Sequence, residues 1–118
     1  MYSAAVLDHF KNPRNAGELP GASATVEVNN PVCGDIMQFA VRVSDGYIAE
    51  ARFKTRGCVT AIACGSLLTE LIRGKTLEEA GRITCDQISD ALGGLPPATV
   101  HGSQLACDAL EAVLAALG

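Results

Sequence analysis

The chain has 118 residues, is 48% hydrophobic and 19% charged, and carries a net charge of −4. That balance implies one globular domain spanning residues 1–118 with its own hydrophobic core, and argues against a disordered chain. No basic block is present, so electrostatic nucleic-acid binding is not expected, and no apolar run approaches the roughly 18 residues of a membrane span.

The N-terminus lacks the basic-then-apolar order of a signal peptide, which makes the cytoplasm the expected compartment. Ser3 to Lys11 reads as a short helix, with Ser3 as N-cap, Val6 and Phe10 on one face and Asn12-Pro13 as the stop. His9, near the end of that helix, reads as a surface residue. Asn15 to Ser23 is a loop punctuated by Gly and Pro. Ala24 to Val28 then alternates with the period of a half-buried strand, and Met37 to Val43 does the same. Asp45-Gly46 marks a hairpin turn. Beyond it, Tyr47, Ala49, Ala51 and Phe53 alternate with Ile48, Glu50, Arg52 and Lys54. An antiparallel three-stranded meander follows, with one apolar face in need of cover.

The second half supplies that cover. Val59 to Arg73 places Cys64, Leu67, Leu68, Leu71 and Ile72 on one helical stripe, closed by Gly74. Thr76-Leu77-Glu78-Glu79 has the form of a capping box. Ile83-Thr84-Cys85-Asp86 opens another short helix that stops at Gly93-Gly94. After Pro96-Pro97, Ala106, Leu110, Val113, Leu114 and Leu117 mark a C-terminal helix. Strands first and helices afterwards define an α+β fold with helices packed on one face of the sheet.

Five cysteines occur, at positions 33, 58, 64, 85 and 107. The number is odd and no pair has Cys-x-x-Cys spacing, so free thiols or metal ligands are expected rather than a disulfide framework. Cys64 and Cys107 lie along apolar faces and are assigned to packing, whereas Cys85 has no evident partner. Cys33 and Asp35 share the loop between the first two strands, and Cys58 stands between the third strand and the long helix. A meander brings those two places to the same end of the sheet. His101, where the last helix begins, joins them only if that helix starts at the same end. Cys58 at a helix N-terminus sits where the dipole favours a thiolate. Thiolate and imidazole suit zinc or iron–sulfur clusters, and a carboxylate adds a harder, more easily displaced ligand.

Taken together, several stretches resemble the IscU/NifU-type iron–sulfur cluster scaffold family. They are Asp8-His9-Phe10-Lys11-Asn12-Pro13-Arg14-Asn15, Asn30-Pro31-Val32-Cys33-Gly34-Asp35, Ala51-Arg52-Phe53-Lys54-Thr55-Arg56-Gly57-Cys58, Ala61-Ile62-Ala63 and Leu95-Pro96-Pro97. The resemblance implies the SufE/NifU-like α+β fold of an N-terminal NifU domain. It also implies a scaffold that receives sulfur from a cysteine desulfurase, assembles a 2Fe–2S cluster and passes it to apo-proteins; members also hold zinc. The family's site residues match Cys33, Asp35, Cys58 and His101. Its third cysteine directly follows the histidine, and that position here is Gly102. Glycine there leaves room for water, a donor's thiolate, glutathione or a ligand from a second subunit. Cys107 lies about 9 Å of rise and 240° of rotation beyond His101, which does not favour its replacing the missing thiol. Leu95-Pro96-Pro97-Ala98-Thr99 departs from the family's chaperone-recognition motif, which argues against that partner. A zinc-binding structural or regulatory domain is one alternative reading, and an interaction protein that has lost the chemistry is another. No nucleophile–base spacing points to an enzyme.

Overall fold

The structure is a computed structural model that describes residues 2–31, 34–95 and 101–117, with only the backbone of His101. Strands β1 (Ala24–Asn29), β2 (Ile36–Ser44) and β3 (Tyr47–Arg56) form an antiparallel sheet in the order β1-β2-β3. The register aligns Val26 with Phe39 and Phe39 with Phe53, so one face carries a continuous apolar row. The β2–β3 hairpin turns on Asp45 and Gly46, whose φ values of 53° and 83° give the twist that right-handed strands require.

The third strand departs from simple alternation. The register shifts between Arg42 and Val43, which face Glu50 and Ile48, so Ala49 has no counterpart. This bulge reverses the phase of the strand's start. Ile48 is therefore buried with Ala51 and Phe53, and Tyr47 is turned out to 51% exposure.

Helix α2 (Val59–Ile72) covers β3, and α5 (His101–Leu117) covers β1 and β2. The short helices α3 (Leu77–Gly81) and α4 (Cys85–Ala91) connect them. Met37 and Phe39 from the sheet meet Leu68, Ile72, Leu105 and Val113 in the core, all fully buried or nearly so. Each such side chain contributes roughly 1.5–3 kcal/mol of burial. On the opposite face Glu50 bridges Arg42 and Arg52 at 3.3 and 3.1 Å. Their hydrogen bonds, that of Arg42 foremost, hold the Glu50 carboxyl below its usual range. No described helix is long and apolar enough to cross a membrane.

The expected caps form. Thr76 pairs with Glu79, and Thr84 with Gln87, in reciprocal capping boxes. Ser3 accepts from the Val6 N–H and donates to the Leu92 carbonyl, tying the start of α1 (Ala4–Lys11) to the end of α4.

Two sequence expectations need correcting. His9 is a buried residue, 8% exposed, with Nδ1 2.7 Å from Ser66 Oγ and Nε2 3.5 Å from Glu70 Oε1. Ser66 Oγ also accepts the Arg14 N–H at 2.8 Å, and Asn15 donates to Thr69 at 3.1 Å. The segment from Asp8 to Asn15 is thus a clasp onto α2, and the buried face of α1 runs through Val6 and His9. Leu7 and Phe10 remain 38% exposed. Hydrogen-bonding demand, invisible to hydrophobic periodicity, selects that face.

The second correction concerns thiols. Cys85 and Cys107 are disulfide-bonded, with their Cα atoms 5.7 Å apart, while Cys58 and Cys64 are free. Local spacing cannot reveal this pair, because 22 residues separate two positions that meet only when α4 packs on α5.

Candidate metal-binding site at Asp35 and Cys58

The sheet register builds the site. Asn29 faces Ile36, which in turn faces Arg56, so the loop after β1 and the end of β3 lie together. The first loop closes on itself through Asn30 N–H to Asp35 O at 2.8 Å and Gly34 N–H to Asn30 O at 2.7 Å. Gly34 adopts φ 75°, which turns the chain sharply enough to return Asp35 to the sheet end.

Asp35, only 8% exposed, aims its carboxylate at the residues after β3. Its Oδ2 accepts from the Cys58 N–H at 3.3 Å and from Cys58 Sγ at 3.2 Å. Gly57 makes this approach feasible, since a Cβ there would lie 2.5 Å from the Asp35 Cγ. Cys58 is the N-cap of α2 and its side chain makes no capping bond, which leaves the exposed sulfur available. A thiol and a carboxylate in contact at the mouth of a helix can hold a soft or borderline metal between them.

A further residue touches the sulfur. Thr60 is fully buried, and its Oγ1 lies 3.0 Å from Cys58 Sγ. Sequence reading overlooks it. The available signal is a hydroxyl in the first turn of a mostly apolar buried helix, where a polar atom demands a partner. Cys64, two turns into α2, is a core thiol as expected, and burial pushes it up to about 12.

Gly102 lies at the same end of the molecule. A Cβ on it would meet the Thr60 carbonyl carbon at 2.7 Å and the Ala61 nitrogen at 2.9 Å. The start of α5 therefore rests directly on the first turn of α2, as His101 requires if it is to join Cys58. The expectation of open room at Gly102 is corrected by the same contact: the Thr60 backbone occupies that space. Cys33 and the His101 side chain lie outside the described residues, as does Pro96 to Thr99 of the altered motif. Among the described residues no group of three or more His, Cys, Asp or Glu side chains could hold a metal, so the described part of the site is the Asp35–Cys58 pair.

The chain is thus a small α+β domain that holds an exposed cysteine against a carboxylate at one end of a three-stranded sheet. The chain belongs to the NifU-like N terminal domain family, whose model matches residues 1–117. It is 50% identical over 111 residues to iron-sulfur cluster assembly scaffold protein IscU 1 of Archaeoglobus fulgidus, covering 94% of this chain and 72% of that protein. The IscU scaffold protein of Haemophilus influenzae is also 50% identical, with 97% of this chain and 93% of its own covered. The solved nitrogen-fixing NifU-like protein (N-terminal) from Brucella abortus has the same fold at 17% identity, with a TM-score of 0.77 and coverage of 97% and 92%.

Proposed function

We propose that the chain is an iron–sulfur cluster assembly scaffold or carrier that holds a 2Fe–2S cluster, or the iron that precedes it, for delivery to apo-proteins. The observation that carries this reading is the contact between Cys58 Sγ and Asp35 Oδ2 at 3.2 Å, in a chain whose family relatives are named as such scaffolds. Cys33, Asp35, Cys58 and His101 are the proposed ligands. Two thiolates, one carboxylate and one imidazole make four donors, two for each iron, without a thiolate at position 102. Oxygen and nitrogen donors bind iron less tenaciously than thiolates. A mixed set of this kind suits a cargo that must leave again. The sulfur comes from a cysteine desulfurase in this reading, and no catalytic step is assigned to the chain's own residues.

Anaerobic reconstitution with iron, cysteine and a desulfurase tests the proposal through visible absorption and iron and sulfide analysis. The expected outcome is a cluster signal in the wild type that Cys58→Ala abolishes. Equal, negligible iron uptake by wild type and Cys58→Ala would sink it.

A further inference from the structure

We propose that Cys85 and Cys107 form a reversible thiol–disulfide site, separate from the Asp35–Cys58 pair, through which small thiol reductants control how firmly the start of α5 is held. Cys85 is the first residue of α4, and the Thr84–Gln87 capping box fixes the backbone around it. Cys107 lies in the second turn of α5, and the bond between the two closes a loop that contains Gly102.

Access is the first requirement of exchange, and the geometry meets it. Both cysteines are half-buried and line a surface groove of about 370 Å³ with Thr84, Gln104, Asp108 and Leu114. A small thiolate can therefore reach either sulfur. Cys64, fully buried, lacks any such access.

The exchange balances with a thiol reductant. A reductant thiolate attacks one sulfur, forming a mixed disulfide and releasing the other cysteine as a thiolate. A second reductant thiol then resolves the mixed disulfide. Two electrons and two protons pass to Cys85 and Cys107, and the reductant leaves as its own disulfide.

The consequence reaches the first turn of α5. Gly102 lies five residues before Cys107 and packs with no spare space on the Thr60 backbone. Thr60 in turn touches Cys58 Sγ. With the bond closed, α4 holds α5 and thereby presses Gly102 against Thr60. With the bond open, that brace is gone and the first turn of α5 opens more often.

The test uses the full chain purified without reductant, with or without dithiothreitol. Alkylation before reduction should label Cys58 and leave Cys85 and Cys107 unlabelled, and both should become labelled after reduction. Amide hydrogen exchange over residues 105–108, whose N–H groups bond the carbonyls of the first turn, should accelerate several-fold on reduction. Cys85→Ser/Cys107→Ser should exchange as the reduced wild type does and ignore dithiothreitol. Labelling of Cys85 and Cys107 before reduction, or unchanged exchange over 105–108 after it, overturns the proposal. Should the double variant fail to fold, the wild-type comparison decides alone. Neither readout involves iron, so the outcome is independent of cluster assembly.

Discussion

The clasp between α1 and α2 and the sheet end at Cys58 are built from the same kinds of residue and do different work. In the clasp, His9 meets Ser66 and Glu70, Ser66 also accepts from the Arg14 backbone, and Arg14 binds Asp8 at 2.6 Å. A neutral His9 that accepts from Ser66 at Nδ1 and donates towards Glu70 at Nε2 satisfies both contacts. At the sheet end, Asp35 and Thr60 are buried but converge on a sulfur that is exposed. A histidine, serine or carboxylate whose partners all lie within the chain serves stability. The same inventory aimed at an accessible thiol is available to a ligand.

Substitutions should separate the two regions. Ser66→Ala leaves His9 Nδ1 and the Arg14 N–H unpaired in the interior and should cost about 1–3 kcal/mol of stability. Urea denaturation measures that loss, and the folded variant should still take up iron like the wild type. Cys58→Ala reverses the pattern, losing cluster uptake in a chain that stays folded, at a cost of about 1 kcal/mol for the buried Thr60 hydroxyl left without its sulfur partner. If Ser66→Ala abolished uptake in folded protein, the division between clasp and site would be wrong.

Gly102→Cys sharpens the comparison from the other side. The new side chain must displace α5 from Thr60, an overpacking cost of about 1–3 kcal/mol. Restoring the thiol type at that position should therefore lower stability and fail to raise cluster yield above that of the wild type. A gain in both would show that α5 gives way readily at this point.

The smallest effect is on pH dependence. Burial, with a lesser contribution from Arg14, lowers the His9 pKa below its ordinary 6.5, against the opposing pull of Glu70 and Asp8. Between the lowered value and 6.5 the unfolded chain binds more protons at this site than the folded one does. The His9 contribution to stability is therefore complete above pH 6.5 and falls as pH drops from there to the folded pKa. His9→Gln should remove that slope from the plot of unfolding free energy against pH. An unchanged slope would place its origin in another group.

Much of this molecule follows from the sequence alone. Strand alternation, the Asp45-Gly46 turn and the capping residues Ser3, Thr76 and Thr84 act over a few neighbours, so their consequences can be read locally. The meander they define already brings the loop carrying Asp35 to Cys58. Tertiary structure decided what depends on distant groups meeting. The bulge that buries Ile48 arises from pairing with β2, and His9 turns inward because Ser66 waits 57 residues away. Cys85 finds Cys107 only through the packing of α4 on α5. Gly102 is informative for the same reason: in sequence it is a missing thiol, and in the fold it is the place where two helix starts touch, because only a residue without a side chain fits against Thr60.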